Sequence, residues 1–258
     1  MSGAHAHGSA VDSLFVEAES AVHGLAPEAK LVALVGFVVA AALTPRTSVW
    51  AFGVYAVAIW LVVFVSHVPV RVVLRRLAVI VPFVIFAVLI PFIGGGEQTQ
   101  VLGVSLSVDG LWAMWNILAK ASIGATASIV LSATTRVPDV LTGLTRLRVP
   151  RVLVAIIAFM MRYLDLLVRQ LGRMRTSMTA RCHDPRWLWQ VKPIASSAGA
   201  LFVRSYERGE RVHQAMLARG YTGTMPTLDR RPATAVDWSR AASLPLVAVV
   251  TLIVAVVL

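Results

Sequence analysis

The chain has 258 residues, of which 57% are hydrophobic and 14% charged, and it carries a formal net charge of +11. An average soluble protein has about half apolar and a quarter charged residues, so this composition argues against a soluble globular protein. The basic excess would favour a nucleic-acid partner in a soluble chain, but 18 of the 24 basic residues lie in one stretch, from Arg136 to Arg240. Such clustering is typical of the cytoplasmic segments of membrane proteins, so no nucleic-acid partner is expected.

The apolar residues fall into blocks that suit transmembrane helices. A helix needs about 20 apolar residues to cross the hydrocarbon layer of about 30 Å, and proline is tolerated within such helices. Five blocks approach or reach that length: 27–43, 49–65, 77–93, 111–134 and 244–258. The sequence therefore predicts an all-α integral membrane protein with about five transmembrane helices in a lipid bilayer.

The charges of the loops predict the orientation of these helices. The segment from His67 to Arg76 contains three arginines, whereas the segment from Gly94 to Asp109 contains no lysine or arginine. Because basic residues concentrate in cytoplasmic loops, the first segment is expected inside and the second outside. This places the N-terminus in the cytoplasm and predicts a multi-pass protein of the bacterial inner or plasma membrane.

Lys120 lies within the fourth apolar block. A lysine in the middle of a membrane helix costs about 2.5–3.5 kcal/mol on insertion scales, so its presence needs an explanation. Three explanations stay open: the lysine faces a partner, it faces a polar cleft, or this part of the helix lies near the membrane surface.

The stretch from residue 135 to 225 predicts a cytoplasmic module of long amphipathic helices. A short helix is expected from Val137 to Leu147, a long one from Pro150 to Arg181, and another from Pro193 to Gly220. The chain is thus divided into N-terminal transmembrane helices (1–134), this module (135–225), and a linker with the final transmembrane helix (226–258). The apolar start of the long helix, residues 152–161, is compatible both with lying along the membrane and with crossing it.

The sequence lacks the motifs that nucleotide binding or catalysis would require. It contains no G-x-x-x-x-G-K-[ST] loop, no H-E-x-x-H, no paired-cysteine metal motif and no G-x-S-x-G elbow. His5 with His7, and Cys182 with His183, are neighbouring potential metal ligands, but neither pair has obvious further ligands. The chain is therefore not expected to be an enzyme, and no catalytic residue, metal site or cofactor is predicted.

A tripeptide is repeated at the ends of the two long cytoplasmic helices. Ala180-Arg181-Cys182 ends the first, and Ala218-Arg219-Gly220 ends the second. Arginine in a last helical turn favours the helix dipole by about 0.3–1 kcal/mol, which is a purely structural explanation. Alternatively, each tip projects a guanidinium into an acidic groove of another protein, where its planar fork pairs with a carboxylate.

These tripeptides, in long cytoplasmic helices that follow hydrophobic spans, resemble those of the T component of energy-coupling factor (ECF) transporters. The stretch RSYERGERVHQAMLARGY, from Arg204 to Tyr221, is similar to the cobalt-type branch of that family, often called CbiQ. The entry segment from Ser20 to Leu31 is also similar to that branch. Cys182 departs from the pattern, since the family has glycine at that position.

The resemblance implies a coupling scaffold that neither hydrolyses ATP nor selects substrate. In the family, two cytoplasmic ABC ATPase subunits hold the two helix tips, and a membrane-embedded S component binds the substrate. Closure of the ATPases moves the coupling helices, whose apolar faces reorient the S component. By this analogy Arg181 and Arg219 anchor the ATPases, and the branch implies cobalt or nickel ions as substrate.

Two other functions stay open: a self-sufficient carrier or channel, and a membrane enzyme. A self-sufficient carrier or channel is suggested by Lys120 and by the two prolines of the third apolar block, but the inverted repeats of many transporters are not visible. A membrane enzyme that modifies lipid would need convergent acids or histidines, and Asp165 and Asp184 do not form a clear pair.

Overall fold

The computed structural model describes residues 14–18, 20–93, 98–101, 104–182, 192–223 and 232–257. Its helices in chain order are α1 (Ala21–Gly24), α2 (Pro27–Leu43), α3 (Val49–Val65), α4 (Val70–Leu77), α5 (Val81–Ile93), α6 (Val108–Thr134), α7 (Val137–Arg146), α8 (Arg151–Ala180), α9 (Lys192–Ala218) and α10 (Ala235–Val257). A 3-10 turn, Ala78–Ile80, joins α4 to α5, and two short strands, β1 (Gln98–Val101) and β2 (Val104–Ser107), precede α6.

Contacts divide the chain into two units, one of residues 1–147 and 230–258 and the other of residues 148–229. The predicted cytoplasmic module began at residue 135, whereas the structure assigns α7 to the first unit. The reason is close packing: a Cβ added to Gly143 would lie 3.1 Å from backbone atoms of Pro27 and Glu28 in α2. The contact boundary therefore falls after α7, and the functional division of the chain stays a prediction.

The all-α membrane class is confirmed by the length and composition of the helices in the first unit. Among the described residues, three helical stretches are long and apolar enough to cross a membrane: Val70–Phe92, Val108–Thr134 and Ala235–Val257. α2 and α3 have 17 residues each, or about 25 Å of helix, which is slightly less than the hydrocarbon thickness. The total of five spans stays a prediction.

The ends of these helices alternate between two sides of the first unit. At one side, the Lys30 ammonium at the start of α2 donates to the Thr134 carbonyl at the end of α6, over 3.0 Å. At the other side, Arg46, just after α2, pairs with Asp109 at the start of α6, over 3.3 Å. The Ser48 hydroxyl donates to the Ala255 carbonyl near the end of α10. This alternation is the arrangement that an up-and-down membrane bundle requires.

The core of the first unit joins α2, α3, α6 and α10. Tyr55 is fully buried, and its hydroxyl lies 2.9 Å from the Thr44 hydroxyl and donates to the Ala248 carbonyl over 3.2 Å. Much of the surrounding core is alanine, and small side chains allow membrane helices to approach closely. The polar tip of Tyr55 thus fixes the relative positions of three helices inside an otherwise apolar bundle.

The arginine segment that was predicted as a loop is helical in the structure. α4 begins at Val70, directly after Pro69, and buries Val73 while leaving Arg71 and Arg75 exposed. The chain then tightens into the 3-10 turn just before Pro82, whose missing N–H removes one bond of the α-helical ladder. The three arginines therefore lie on the first turns of a helix that continues into the third apolar block.

The predicted external loop contains a small antiparallel hairpin. β1 pairs with β2 in a register that sets Gln98 opposite Ser107 and Val101 opposite Val104. The Ser107 hydroxyl accepts the Gly110 N–H over 3.3 Å and thereby caps α6. A Cβ on Gly110 would lie 2.7 Å from the backbone of Pro91, so glycine is required where α5 and α6 meet. The three consecutive glycines of this loop, at 94–96, lie outside the described residues.

The second unit consists of α8 and α9, and neither helix buries a single residue. Large apolar side chains at positions 152, 156 and 160 of α8 are exposed and follow helical spacing, as the amphipathic prediction requires. α8 is not among the stretches apolar enough to cross a membrane, since Arg162 and Asp165 interrupt its apolar part. Two long helices with no buried residue present an unusually large free surface.

Candidate functional site

The tip of α8 is built around Arg181, which is the C-cap of the helix. The Arg181 N–H donates to the Met178 carbonyl over 3.1 Å, and the Cys182 N–H donates to the Thr179 carbonyl over 2.9 Å. Cys182 has a positive φ of 57°, the left-handed conformation that commonly ends helices. The chain therefore turns sharply just after the arginine and leaves its side chain at the extreme end of the helix.

The tip of α9 repeats this construction. The Gly220 N–H donates to the Leu217 carbonyl and the Tyr221 N–H to the Met216 carbonyl, both over 3.0 Å. These two bonds, with Gly220 at a φ of 79°, form a Schellman motif. Arg219 occupies the position before the left-handed residue, as Arg181 does in α8.

The third residue of each tripeptide thus adopts the same left-handed backbone conformation, which ends the helix. Glycine reaches the left-handed region without steric cost, whereas other L-residues pay about 1–2 kcal/mol there. Cys182 adopts this conformation although it has a Cβ, so the departure from glycine leaves the geometry of the tip intact. The sequence indicated that the two tripeptides correspond to each other. The structure gives the reason, which is the left-handed conformation of the third residue in both.

Both arginines are available to a partner. Ala180, Arg181, Ala218 and Arg219 are all exposed, and no acidic side chain pairs with either guanidinium within the described ranges. The ion pair between Glu207 and Arg211 of α9, with 3.8 Å between its atoms, lies two turns before the tip. At each tip, therefore, an arginine preceded by an alanine exposes a planar guanidinium that has no acidic partner within the described ranges.

A shallow groove on α8 leads towards the tip and was not anticipated from the sequence. It has a volume of about 560 Å³ and is lined by Arg169, Gly172, Arg173, Thr176, Ser177 and Ala180. These residues share one helix face, and the missing side chain of glycine creates the depression. The only sequence signal was the helical spacing of the arginines, which gave no indication of the groove itself.

The charged residues near the start of the chain hold helices together. Glu28 is buried and accepts from Arg146 over 3.0 Å and from the Ala233 N–H over 2.9 Å. This carboxylate therefore joins α2, α7 and the segment before α10. Glu28 was not predicted as a linking residue, because a carboxylate just after a proline is an ordinary first-turn residue of a helix.

His23 fastens the N-terminal segment to the first unit. Its Nδ1 lies 2.8 Å from the Ser20 hydroxyl and its Nε2 3.1 Å from the Val16 carbonyl. Burial lowers the pKa of His23, and the nearby Lys30 ammonium lowers it further, so the neutral imidazole is favoured. In that form Nε2 donates to Val16 while Nδ1 accepts from Ser20.

Lys120 has a partner that the sequence did not reveal. Its ammonium donates to the Ala42 carbonyl in the last turn of α2 over 2.7 Å. A helix C-terminus carries carbonyls without helical partners and a partial negative charge, both of which favour a cation. This hydrogen bond links α6 to the end of α2, so Lys120 helps to hold the bundle together.

The described residues contain no group of three histidine, cysteine, aspartate or glutamate side chains placed to hold a metal ion. His5, His7 and His183, which the sequence analysis considered as metal ligands, lie outside the described residues. The arrangement at the helix tips can supply charge-assisted hydrogen bonds to carboxylates.

Comparison with known proteins shows one family. Residues 18–228 match the family model CbiQ, described as cobalt transport protein. The cobalt transport protein CbiQ of Rhodobacter capsulatus is 31% identical over 132 residues, which cover 51% of this chain and 54% of that protein. An uncharacterized protein of Methanocaldococcus jannaschii is 24% identical over 232 residues, covering 85% of this chain and 79% of that protein. The match to the Rhodobacter protein thus spans about half of its length.

Proposed function

This chain belongs to the CbiQ family of cobalt transport proteins, and on that basis we propose that it is the transmembrane coupling scaffold of an ECF-type ABC importer. In this role it is the T component, which transmits the conformational change of two cytoplasmic ATPases to a membrane-embedded S component. The transported substrate is cobalt or nickel ions, and the chain itself is not catalytic. Its location is the cell membrane, with the N-terminus in the cytoplasm.

The observation that carries this proposal is the pair of equivalent helix tips. Arg181 and Arg219 are both C-cap residues, both exposed, and both followed by a left-handed turn. Helix dipoles alone would explain an arginine in each last turn, but they do not require the same sharp turn after it. Two cationic tips of equivalent construction suit two copies of one kind of acidic groove, as a pair of ATPase subunits would offer.

The long exposed helices support the mechanical part of the proposal. α8 has 30 residues and α9 has 27, so they are about 45 Å and 40 Å long. Helices of this length move as rods, and a displacement at the tip is transmitted along the axis. The exposed apolar residues of α8, at 152, 156 and 160, are the surface that we assign to the S component.

The self-sufficient carrier is a weaker candidate. Its main support was an intramembrane lysine, and Lys120 is engaged with the Ala42 carbonyl. The lipid-modifying enzyme has no described acid pair to support it, because Asp165 lies in α8 and Asp184 is outside the described residues.

The proposal is tested by co-expressing the tagged chain with the ATPases encoded beside it and measuring their copurification. We expect the wild type to retain both ATPases and the double variant Arg181→Ala/Arg219→Ala to lose them, since the bidentate contact disappears at both tips. The matched control is Arg175→Ala/Arg204→Ala, which removes two exposed arginines from the same helices away from the tips.

Retention of the ATPases by the control and their loss by the tip variant would support the coupling scaffold. Undiminished capture by the tip variant would overturn the assignment of the two arginines. If neither the wild type nor the variants capture the ATPases, stabilisation of the helix ends would be a sufficient explanation of the two arginines. The independent carrier would then be the next hypothesis to test.

A further inference from the structure

A groove of about 440 Å³ opens on the side of the first unit, between α2, α3, α6 and α10. Its floor is buried: Phe37 is 0%, Ala127 1% and Ile59 3% exposed. Its lip is open, with Leu61 59% exposed. The volume lies within the range of about 300–1,000 Å³ that is usual for small-molecule sites. The groove therefore reaches from the lipid-facing surface into the helical bundle.

The polar residues of this groove are all at one end. Lys30 is in the first turn of α2, Thr134 is the last residue of α6, and Arg240 and Ser243 are in the second and third turns of α10. The remaining lining residues are aliphatic or aromatic. This end is the one next to α4 with its three arginines, since Val73 of α4 packs near Val130 of α6. By the distribution of basic residues it is the cytoplasmic end.

The two cations at this end differ in their availability. The Lys30 ammonium already donates to the carbonyls of His23 and Thr134. The Arg240 side chain is exposed, and the described part of the chain contains no acceptor for its guanidinium. A guanidinium pairs bidentately with a phosphate, and cations at the cytoplasmic surface attract anionic lipids by about 1 kcal/mol each.

We propose that this groove binds an anionic phospholipid. One acyl chain occupies the apolar groove over Phe37 and Ile59, and the phosphate pairs with the Arg240 guanidinium. A ligand with one charged end and one long apolar end matches the lining, and the bilayer presents such molecules at high concentration. This inference does not depend on the coupling role proposed above.

The experiment is native mass spectrometry of the full chain in a neutral detergent with equal amounts of phosphatidylglycerol and phosphatidylcholine of the same acyl chains. The wild type is expected to retain the anionic lipid about fivefold more than the zwitterionic one. Arg240→Gln should bring this ratio close to one. Arg75→Gln, which removes another exposed cation at the same end outside the groove, should leave it unchanged.

Two further measurements locate the site and separate binding from folding. A phosphatidylglycerol with a photoreactive acyl chain should crosslink to the residues that line the groove, at 33–37, 59–65, 127–134 and 241–244. Ser243→Trp, which fills the exposed mouth, should reduce this crosslinking at least fivefold while the circular dichroism spectrum is preserved. Inorganic phosphate at millimolar concentration should not displace the lipid, because it lacks the acyl chain.

An unchanged lipid ratio in Arg240→Gln would overturn the proposal, as would an equal loss in Arg75→Gln, which would indicate general attraction to the basic face. Crosslinks outside these residues would also overturn it. Displacement by phosphate alone would show an anion site rather than a phospholipid site.

Discussion

Single residues decide how each helix tip is shaped. Cys182 and Gly220 both adopt the left-handed conformation, which ends each helix directly after its arginine. The sequence identifies the two arginines through the repeated tripeptide, and it identifies Cys182 as a departure from glycine. It does not reveal the positive φ of that cysteine, because side-chain identity alone does not fix a backbone angle that cysteine rarely adopts.

Replacing Cys182 by glycine is expected to stabilise the tip of α8 by up to about 1 kcal/mol, because glycine has no steric cost at positive φ. The amide of residue 182, which donates to the Thr179 carbonyl, should exchange up to fivefold more slowly. Gly220→Ala should have the opposite effect on the amides of residues 220 and 221. Hydrogen exchange with mass spectrometry measures the exchange rates of these amides in both variants. An unchanged rate for the amide of residue 182 in Cys182→Gly would contradict this explanation of the tip.

His23 predicts a pH dependence at the N-terminal segment. Burial lowers its folded-state pKa below the ordinary 6.5, so the folded state binds fewer protons than the unfolded one. Its contribution to stability is complete above about pH 6.5 and is lost as the pH falls through the lowered pKa. The Val16 amide, which donates to the Ala133 carbonyl, should lose protection in this window after correction for intrinsic rates. His23→Asn should abolish the dependence, and its persistence in that variant would implicate another group.

At the scale of elements, hydropathy predicts the membrane helices well and their junctions poorly. The apolar blocks coincide with α2, α3, α5, α6 and α10, because a run of apolar residues is a direct requirement of the bilayer. α10 begins at Ala235, within the segment that was predicted as a linker up to Ser239, since the Asp237 carboxylate accepts the Thr234 N–H and caps the helix. The helical arginine segment and the hairpin before α6 were also missed, because neither is a continuous apolar run that hydropathy would detect.

The ion pair between Glu28 and Arg146 is the most buried ion pair in the described part of the chain. Removing one partner of a buried pair is strongly destabilising, and with Arg146 22% exposed we expect Arg146→Met to cost about 2–3 kcal/mol. Thermal unfolding in detergent measures this loss. Arg71→Met, which changes an exposed arginine of α4, serves as the control and should have little effect. A loss equal to that of the control would show that the carboxylate is satisfied without Arg146.

At the scale of the whole molecule, the structure separates a membrane-type bundle from a pair of long helices that bury no residue. Tyr55, Lys30 and Lys120 are paired within the bundle, whereas Arg76 Nη1 and Asn116 Oδ1 are buried there without a hydrogen-bond partner among the described residues. α8 and α9 leave large apolar and cationic side chains exposed, and exposed patches of this kind mark surfaces that contact another protein or a membrane. The sequence predicts this division through the change of character after residue 134, although α7 remains with the bundle.

The most direct test of the account is cobalt uptake into proteoliposomes, measured for the chain alone and for the chain with its ATPases and S component. We predict ATP-dependent uptake by the complete assembly only, and its loss in Arg181→Ala/Arg219→Ala while the ATPases alone still hydrolyse ATP. Uptake by the purified chain without its partners, or full uptake by the assembly that carries both substitutions, would contradict the coupling role.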